Sequence, residues 1–338
     1  LLLGPSRLPA DDGGAFVAGG VDWERLAEVA SHHLVTPALK VRLGQRALDD
    51  HLPEDFREYL NAIHQLNLAR NEELADLLHF VLVHFANENI PVVLLKGAIS
   101  LTQDLYPEPG MRMMSDIDML VSHADAARAF ALLQAAGFRS WRDTTRRALP
   151  ENHHHLPELV NATLAAAQVE LHTEPVARRC GGTLTAEQVF AEAVAYRWRD
   201  RGVLVPSLAH RILHNVLHNQ LADGDFRARR INLRHLHEFD RLLACGDESA
   251  LAEAIARSLP THQFPIWEAH TALHRVLFLA EPLALNPSAA EFLRRARRHS
   301  RLSIAFAASR IGAHWLDSAR HLLQRPGQHL PKLVDAGW

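Results

Sequence analysis

Cysteine and long apolar runs are both scarce in this sequence of 338 residues, which has two cysteines. Cys180 and Cys245 have neither the density of a disulfide scaffold nor the spacing of a metal site, which fits free thiols in a reducing, cytoplasmic setting. Residues 1–3 are all leucine, but Gly4 and Pro5 end the run before it reaches the length of a signal-peptide core. No apolar run approaches a membrane span. The sequence therefore predicts a cytoplasmic protein with no membrane partner.

A large excess of charge of either sign is also lacking. The formal net charge is -3 and the sequence pI is near 6.8. This balance gives no global attraction to nucleic acid or to an anionic membrane, so any site for a polyanion must be local. With 48% hydrophobic and 22% charged residues, the chain is long enough for two or three domains with ample core.

The stretch from residue 90 to residue 121 contains two short apolar runs that end on chemically useful groups. Residues 92–95 are consecutively apolar, which is typical of a strand buried on both faces, and Lys96 and Gly97 follow as a turn. The second run begins at Asp116, and Asp118 lies two residues further on. In a strand these carboxylates share one face, and they repel each other unless a cation offsets their charge. A divalent metal is the obvious cation.

A third acid is predicted to join this pair. Residues 168–172 alternate polar with apolar side chains, so Gln168, Glu170 and His172 are expected on one face of another strand. A lone Asp-x-Asp at a strand end is more often a solvated edge than a metal site. The combination of the paired acids, the glycine turn and Glu170 favours the metal site instead.

Helical patterns flank this region on both sides. Asp22 is a candidate cap for a helix from Trp23, a second helix is predicted over 36–48, and a long helix begins after Pro53. Helical spacing returns after Ser207. We therefore expect an N-terminal helical part over 1–89, a core over 90–202 and a C-terminal helical domain over 203–338.

Several polar groups outside the acids have simpler interpretations than a functional site. His153–His155 with His172 lack repeated metal-ligand spacing, although a place beside substrate stays open for His155. The histidines at 210, 214 and 218 recur every four residues, a spacing that can bind a metal but more often flanks a core or lines a cleft beside substrate. Arg234 and Glu238 are spaced as a solvated helix salt bridge. The arginines over 294–301 indicate a solvated face, with an RNA, phosphate or acidic-partner contact as the alternative.

The core sequence resembles the polymerase-beta-type nucleotidyltransferases, and within them an uncharacterised bacterial group with a Lys-Gly turn. The resemblance covers about 90–200, and its matching elements are Lys96-Gly97, Leu105-Tyr106-Pro107, Arg112, Asp116-Ile117-Asp118 and Glu170-Leu171-His172. It implies an α+β fold with a mixed sheet and helices. It also implies Mg²⁺-dependent transfer of an NMP from an NTP to a hydroxyl or phosphate acceptor, with release of pyrophosphate.

The resemblance also implies roles for individual residues. Asp116, Asp118 and Glu170 are expected to be the catalytic acids and the ligands of two Mg²⁺ ions, with Mn²⁺ as an alternative. Two such metals neutralise phosphoryl charge and activate an acceptor hydroxyl, and Glu170 is a candidate proton acceptor. The expected nucleotide-binding residues are Lys96, Gly97, Ala98, Arg112 and Ser115. Neither the base of the NTP nor the acceptor, whether a small molecule, peptide, protein or RNA, follows from the sequence.

The sequence departs from the common pattern of that superfamily in two places. Ala98 stands where serine is usual, and the interval from Gly97 to Asp116 is longer. Backbone N–H groups and the charges of Lys96 and Arg112 are expected to compensate for the lost hydroxyl. Two alternatives stay open for Lys96, a phosphate contact or a structural partner for an acid. The departure also leaves open a catalytically weak nucleotide-binding or partner-binding protein on the same fold.

Overall fold

The computed structural model describes residues 20–103, 105–140, 154–161, 163–177 and 182–278, together with residues 298, 301 and 302. Cys180, His153 and most of the basic run over 294–301 lie outside them. None of the helices in the described part of the chain combines the length and the apolar character needed to cross a membrane.

Three helices form the described N-terminal part: α1 (Trp23–His32), α2 (Thr36–Gln45) and α3 (Glu54–Asn87). The Asp22 side chain accepts a hydrogen bond from the Arg25 amide, which satisfies one of the free N–H groups at the start of α1. Helix α3 is 34 residues long and buries side chains at helical spacing. One end of α3 packs with α2, and the other end packs over the sheet.

A seven-stranded mixed sheet forms the centre of the molecule, in the order β3-β4-β5-β2-β1-β7-β6. Its strands are β1 (Val92–Leu94), β2 (Asp116–Val121), β3 (Arg139–Ser140), β4 (Leu159–Asn161), β5 (Ala165–His172), β6 (Val194–Trp198) and β7 (Arg201–Val205). The β2–β5 and β1–β7 pairs are parallel and the others antiparallel. The central strands β1 and β2 are almost wholly buried, as their consecutive apolar residues predict.

Strand register brings the acids together. In the parallel β2–β5 pair, Asp116 lies beside Gln168 and Asp118 beside Glu170. Side chains at matched positions of neighbouring strands point to the same face, so Asp116, Asp118 and Glu170 share one face of the sheet. On the other side of β2, the Leu95 amide donates to the Asp118 carbonyl, which places the end of β1 next to Asp118.

The remaining helices cover the sheet and form the C-terminal part. Three short helices lie among the strands: α4 (Lys96–Ser100), α5 (Ala126–Ala135) and α6 (Ala186–Ala191). After β7 come α7 (Leu208–Leu217), a π-helical turn (His218–Ala222), α8 (Asp225–Ala228), α9 (Leu233–Leu243), α10 (Glu248–Ser258) and α11 (Phe264–Phe278). Short 3₁₀ turns occur at Asp49–His51, Pro109–Met111 and Thr261–Gln263.

This architecture is α+β, with a mixed sheet flanked by helices, which confirms the predicted fold class. Helices of the N-terminal and C-terminal parts contribute to one apolar cluster, while α3 and the sheet form the second. Strand β7 runs to Val205, three residues past the expected boundary at 202. The division into three parts stays a prediction.

Buried histidines in the C-terminal helices give the fold an expected sensitivity to acid. His237 and His270 are 2% and 0% exposed. Burial lowers the pKa of His237 to about 4 and that of His270 to about 3. Both side chains therefore stay neutral in the folded protein at a pH where the unfolded chain, with a histidine pKa of about 6.5, takes up protons.

We expect the free energy of unfolding to fall between pH 7.5 and pH 5.5. Because the folded pKa values are lowered, the contribution of these histidines to the free energy of unfolding is fully present above about pH 6.5. It is lost as the pH falls below that value, by about 1.4 kcal/mol for each histidine at pH 5.5. His172, whose pKa is raised, acts in the opposite direction. It is outweighed because further histidines share the lowered pKa, namely His64, His154, His210, His214 and His235.

Urea unfolding at pH 7.5 and pH 5.5 checks this expectation. The two histidines alone predict a loss of about 3 kcal/mol, a large part of the stability of an ordinary domain. Substitution of His262, which is exposed, is the control and should leave the loss unchanged. Equal stability at the two pH values would contradict the prediction.

Candidate active site

Asp118 is the centre of a buried ionic cluster on the sheet. Its side chain is 3% exposed, and its Oδ1 accepts from Lys96 Nζ at 2.8 Å and from His172 Nε2 at 2.7 Å. His172 Nε2 also lies 3.5 Å from Glu170 Oε2. Two cationic donors thus meet one carboxylate oxygen, while no hydrogen bond from a described residue reaches Oδ2 of Asp118.

The electrostatics follow from burial and these contacts. Burial by itself would raise the pKa of Asp118, but Lys96 and His172 outweigh it and hold that pKa well below its usual value. Burial would lower the pKa values of Lys96 and His172, and the neighbouring carboxylates raise both instead. In Glu170, contact with His172 similarly lowers the pKa despite burial. The cluster is therefore held as charged partners.

Asp116 is the acid that lacks a partner. None of the described residues forms a hydrogen bond or an ion pair with its carboxylate. Burial raises its pKa, and the negative charges of Asp118 and Glu170 raise it further. Adding a cation at this face would relieve that repulsion, which is the physical sign of a cation site.

Three side chains of the cluster already have the spacing of metal ligands. One ligand atom from each of Asp118, Glu170 and His172 lies within 4.8 Å of the others. Asp116 lies outside this compact group, two register positions before Asp118 on β2. The described residues thus contain a carboxylate-rich group that could hold a divalent ion, with a histidine as one member.

The turn after β1 differs from the expected glycine turn. The strand ends at Leu94, and Lys96, with φ at 46°, is the residue in the left-handed region. A residue with a Cβ pays about 1 kcal/mol or more for this backbone. Gly97 is needed for another reason, because a Cβ on it would lie 2.5 Å from Arg112 Nη1. The turn therefore orients Lys96 toward Asp118 and admits the Arg112 side chain.

Arg112 is held in a buried ion pair. Its Nε donates to Glu238 Oε2 at 2.8 Å, and the two side chains are 8% and 11% exposed. Burial would lower the pKa of Arg112, but Glu238 raises it above its usual value. The predicted solvated pair between Arg234 and Glu238 is therefore wrong, since Glu238 points inward and binds an arginine 126 residues away.

Arg234 is a further candidate for the site, which the sequence pattern predicts only as a solvated helix partner of Glu238. It begins α9, is half-buried, and no described residue forms a hydrogen bond or ion pair with it. Burial lowers its pKa and the neighbouring Arg112 lowers it further, while Glu238, Asp116 and Asp223 act in the opposite direction. A guanidinium without a partner thus lies within electrostatic range of Asp116. In the sequence, the spacing of Arg234 and Glu238 indicates only a helix ion pair.

Two of the expected nucleotide contacts have other surroundings in this conformation. The Ala98 side chain is 0% exposed, and its amide already donates to the Leu95 carbonyl. Ser115 is exposed immediately before Asp116, and its carbonyl accepts from Arg70 at 3.5 Å. Nucleotide binding by Lys96, Gly97, Ala98, Arg112 and Ser115 stays a prediction. Of the two alternatives for Lys96, its ion pair with Asp118 is the contact expected if Lys96 is a structural partner for an acid.

The histidines divide between the two sides of the cluster. His154 and His155 pack against the His172 ring, with centroids 5.3 and 5.5 Å away. In the C-terminal series, His210 and His214 are buried, whereas His218 ends α7 beside Asp223 and His235. His210, His214 and His218 therefore do not form one site, despite their regular spacing of four residues.

Comparison with known proteins gives the class. A family described as uncharacterised nucleotidyltransferase matches residues 19–280. The chain belongs to this nucleotidyltransferase family, which confirms the resemblance seen in the sequence and supports nucleotidyl transfer as the general reaction. No curated protein sequence matches the chain.

Two similar solved structures are both of ANT(2'')-Ia. One is a solution structure of this antibiotic-resistance factor, with 13% identity and a TM-score of 0.39, covering 55% of this chain and 91% of that one. The other is a crystal structure in complex with adenylyl-2''-tobramycin, with 13% identity and a TM-score of 0.37, covering 54% of this chain and 95% of that one. Similarity at this level carries no conclusion about the chemistry of this chain.

Proposed function

We propose that the protein is a Mg²⁺-dependent nucleotidyltransferase that moves an NMP from an NTP to a hydroxyl or phosphate acceptor and releases pyrophosphate. The observation that carries the proposal is the shared face of Asp116, Asp118 and Glu170, where burial and the two neighbouring carboxylates raise the pKa of Asp116 although the charges of Lys96 and Arg112 lower it. Hard carboxylate oxygens suit Mg²⁺, with Mn²⁺ as an alternative. These three acids would hold two ions, which supply charge neutralisation on the phosphoryl oxygens.

The residues of the chain have separate roles in this proposal. Lys96 and His172 keep Asp118 ionised and fix its carboxylate through Oδ1, leaving Oδ2 for a cation. Glu170, whose pKa is lowered, takes the proton of the acceptor hydroxyl. The acceptor oxygen then forms a bond to the α-phosphorus, and the bond from that phosphorus to pyrophosphate breaks. Neither the base of the NTP nor the acceptor is assigned.

Arg234 supplies positive charge for the triphosphate in this proposal. Lys96 and Arg112 are already paired with Asp118 and Glu238, whereas Arg234 has no such partner among the described residues. A half-buried guanidinium with lowered pKa gains from an anionic ligand, and its planar donors match phosphate oxygens.

Replacing Arg234 with alanine is expected to raise KM for the NTP by about tenfold to a hundredfold, the scale of losing one or two charge-assisted hydrogen bonds. The measurement is NTP affinity by calorimetry together with steady-state KM, both with Mg²⁺ present. Arg227→Ala, at an exposed position on α8, is the matched control. If the NTP affinity of Arg234→Ala is unchanged, Arg234 does not bind the triphosphate, and Lys96 or Arg112 becomes the candidate for that contact.

A second candidate function is nucleotide or partner binding with little transfer. The observation that favours it is Ala98, which is buried and lacks the hydroxyl usual at that place. Incubating the protein with each NTP, with and without Mg²⁺, separates the candidates. Mg²⁺-dependent pyrophosphate release supports transfer, whereas tight metal-independent binding without release supports the binding protein.

We further propose that the core over 90–202 carries the chemistry, with the parts over 1–89 and 203–338 as its helical flanks. A reducing, cytoplasmic setting is also part of the proposal, because Cys245 is an exposed free thiol.

A further inference from the structure

A second group of potential metal ligands is formed by residues of the C-terminal part and shares no residue with the acid cluster. One ligand atom from each of His218, Asp223 and His235 lies within 4.8 Å of the others. Oδ2 of Asp223 is 3.2 Å from His218 Nδ1 and 3.7 Å from His235 Nε2. Ligands of one tetrahedral ion with bonds of about 2.1 Å are roughly 3.4 Å apart, so these two separations already approach coordination geometry.

The local backbone explains why His218 and Asp223 meet. The chain forms a π-helical turn over His218–Ala222, and the Asp223 amide donates to the His218 carbonyl at 2.9 Å. In this wider turn, residues five apart lie above one another, whereas an α-helix would place them on different faces. The π turn therefore brings a carboxylate next to an imidazole, and such turns are frequent at functional sites.

His235 supplies the third group from another helix. It lies in the first turn of α9, where its amide donates to the Asn232 side chain. Its ring is nearly parallel to that of His218, at 14°, with centroids 5.8 Å apart. Two imidazoles bound to one tetrahedral ion have centroids roughly 5 Å apart, so only a small adjustment is needed.

The ring of His235 is buried without hydrogen-bond partners. Its side chain is 10% exposed, and neither Nδ1 nor Nε2 forms a hydrogen bond with a described residue. His218 Nδ1 has Asp223 Oδ2 as its polar neighbour, at 3.2 Å. A buried polar atom without a partner destabilises the fold, and a cation between these atoms would give them a partner.

We propose that His218, Asp223 and His235 bind a divalent transition-metal ion of the Zn²⁺ class. Two imidazole nitrogens and one carboxylate oxygen are a donor set that suits Zn²⁺, and three protein ligands leave a fourth position open. Asp223 is 36% exposed, so the ion has a route from solvent. Arg234 and Lys96 are positive groups within electrostatic range of Asp223, and Arg230 donates to the Asp223 carbonyl, so the ion has to bind against their charge.

This proposal does not depend on nucleotidyl transfer, because its test measures metal content. The purified full chain is freed of metal, loaded with Zn²⁺, desalted and analysed by elemental mass spectrometry. Asp118, Glu170 and His172 could also take up zinc, so the Asp118→Asn variant is the background for every comparison. In that background we expect about one equivalent of zinc, lost on adding Asp223→Asn or His235→Gln.

Two measurements keep the result interpretable. Asp223→Asn preserves shape at a partly exposed position, and a thermal melt verifies that each variant is folded. His262→Ala, at an exposed histidine of the C-terminal part, is the control and should retain the zinc. Loading with Co²⁺ should give the visible absorption of a four-coordinate nitrogen and oxygen site, absent in Asp223→Asn.

Two results would overturn the proposal. If folded Asp118→Asn binds no zinc, His218, Asp223 and His235 lie close together without binding an ion, and the proposal is wrong. If zinc is retained equally by the folded Asp223→Asn and His235→Gln variants in that background, the ion binds elsewhere on the chain.

Discussion

Replacing Asp118 with asparagine is expected to lower kcat/KM for NMP transfer by about a thousandfold or more. The substitution keeps the size of the side chain and removes the charge on which Lys96 and His172 converge. It also removes a carboxylate oxygen that is open to a cation, and loss of such electrostatic stabilisation typically costs this much. Pyrophosphate release from an NTP with Mg²⁺ is the measurement.

Asp118→Asn also leaves the Lys96 ammonium without its close carboxylate, so stability has to be measured beside activity. Asp50→Asn, at an exposed position in the N-terminal part, is the matched control and should retain activity. A folded Asp118→Asn protein with full Mg²⁺-dependent release would remove Asp118 from the proposed mechanism.

The second large effect is expected from Glu238→Gln, which should reduce the free energy of unfolding by about 3 kcal/mol. Arg112 is buried and stays charged, and the glutamine retains a hydrogen-bond acceptor without the balancing charge. Urea unfolding is the measurement. Glu253→Gln, at an exposed position of α10, is the control and should change stability little.

A double variant separates the charge from the packing. Replacing Arg112 and Glu238 together with methionine removes both charges and keeps apolar volume, so we expect it to recover much of the stability lost in Glu238→Gln. If Glu238→Gln is as stable as the Glu253→Gln control, the buried pair has no structural importance.

The sequence predicted the sheet side of the molecule well, because local pattern determines it. Consecutive apolar residues identify β1 and β2, and alternation identifies the face of β5 that carries Glu170. The meeting of these strands requires only that neighbouring buried strands pair. The acid cluster could therefore be expected from three short segments.

The particular partners of the cations could not be predicted in the same way. Lys96 reaches Asp118 because its backbone adopts a left-handed conformation, which sequence pattern does not signal for lysine. Glu238 binds Arg112 across 126 residues, although its spacing from Arg234 indicates a local pair. The group formed by His218, Asp223 and His235 depends on a π turn, whereas α-helical spacing suggests the histidines at 210, 214 and 218.

Helix α9 has a consequence for how such proteins can be recombined. This one helix carries Arg234, His235 and Glu238. Arg234 lies within electrostatic range of Asp116, and His235 lies beside Asp223. Glu238 binds Arg112, the arginine that contacts Gly97. In a chimera that takes the chain up to β7 from one parent and the chain from α7 onward from another, Arg112 and the residue at position 238 come from different parents. Viable chimeras should therefore inherit the arginine and the glutamate from the same parent, so the exchangeable module consists of the sheet together with α9.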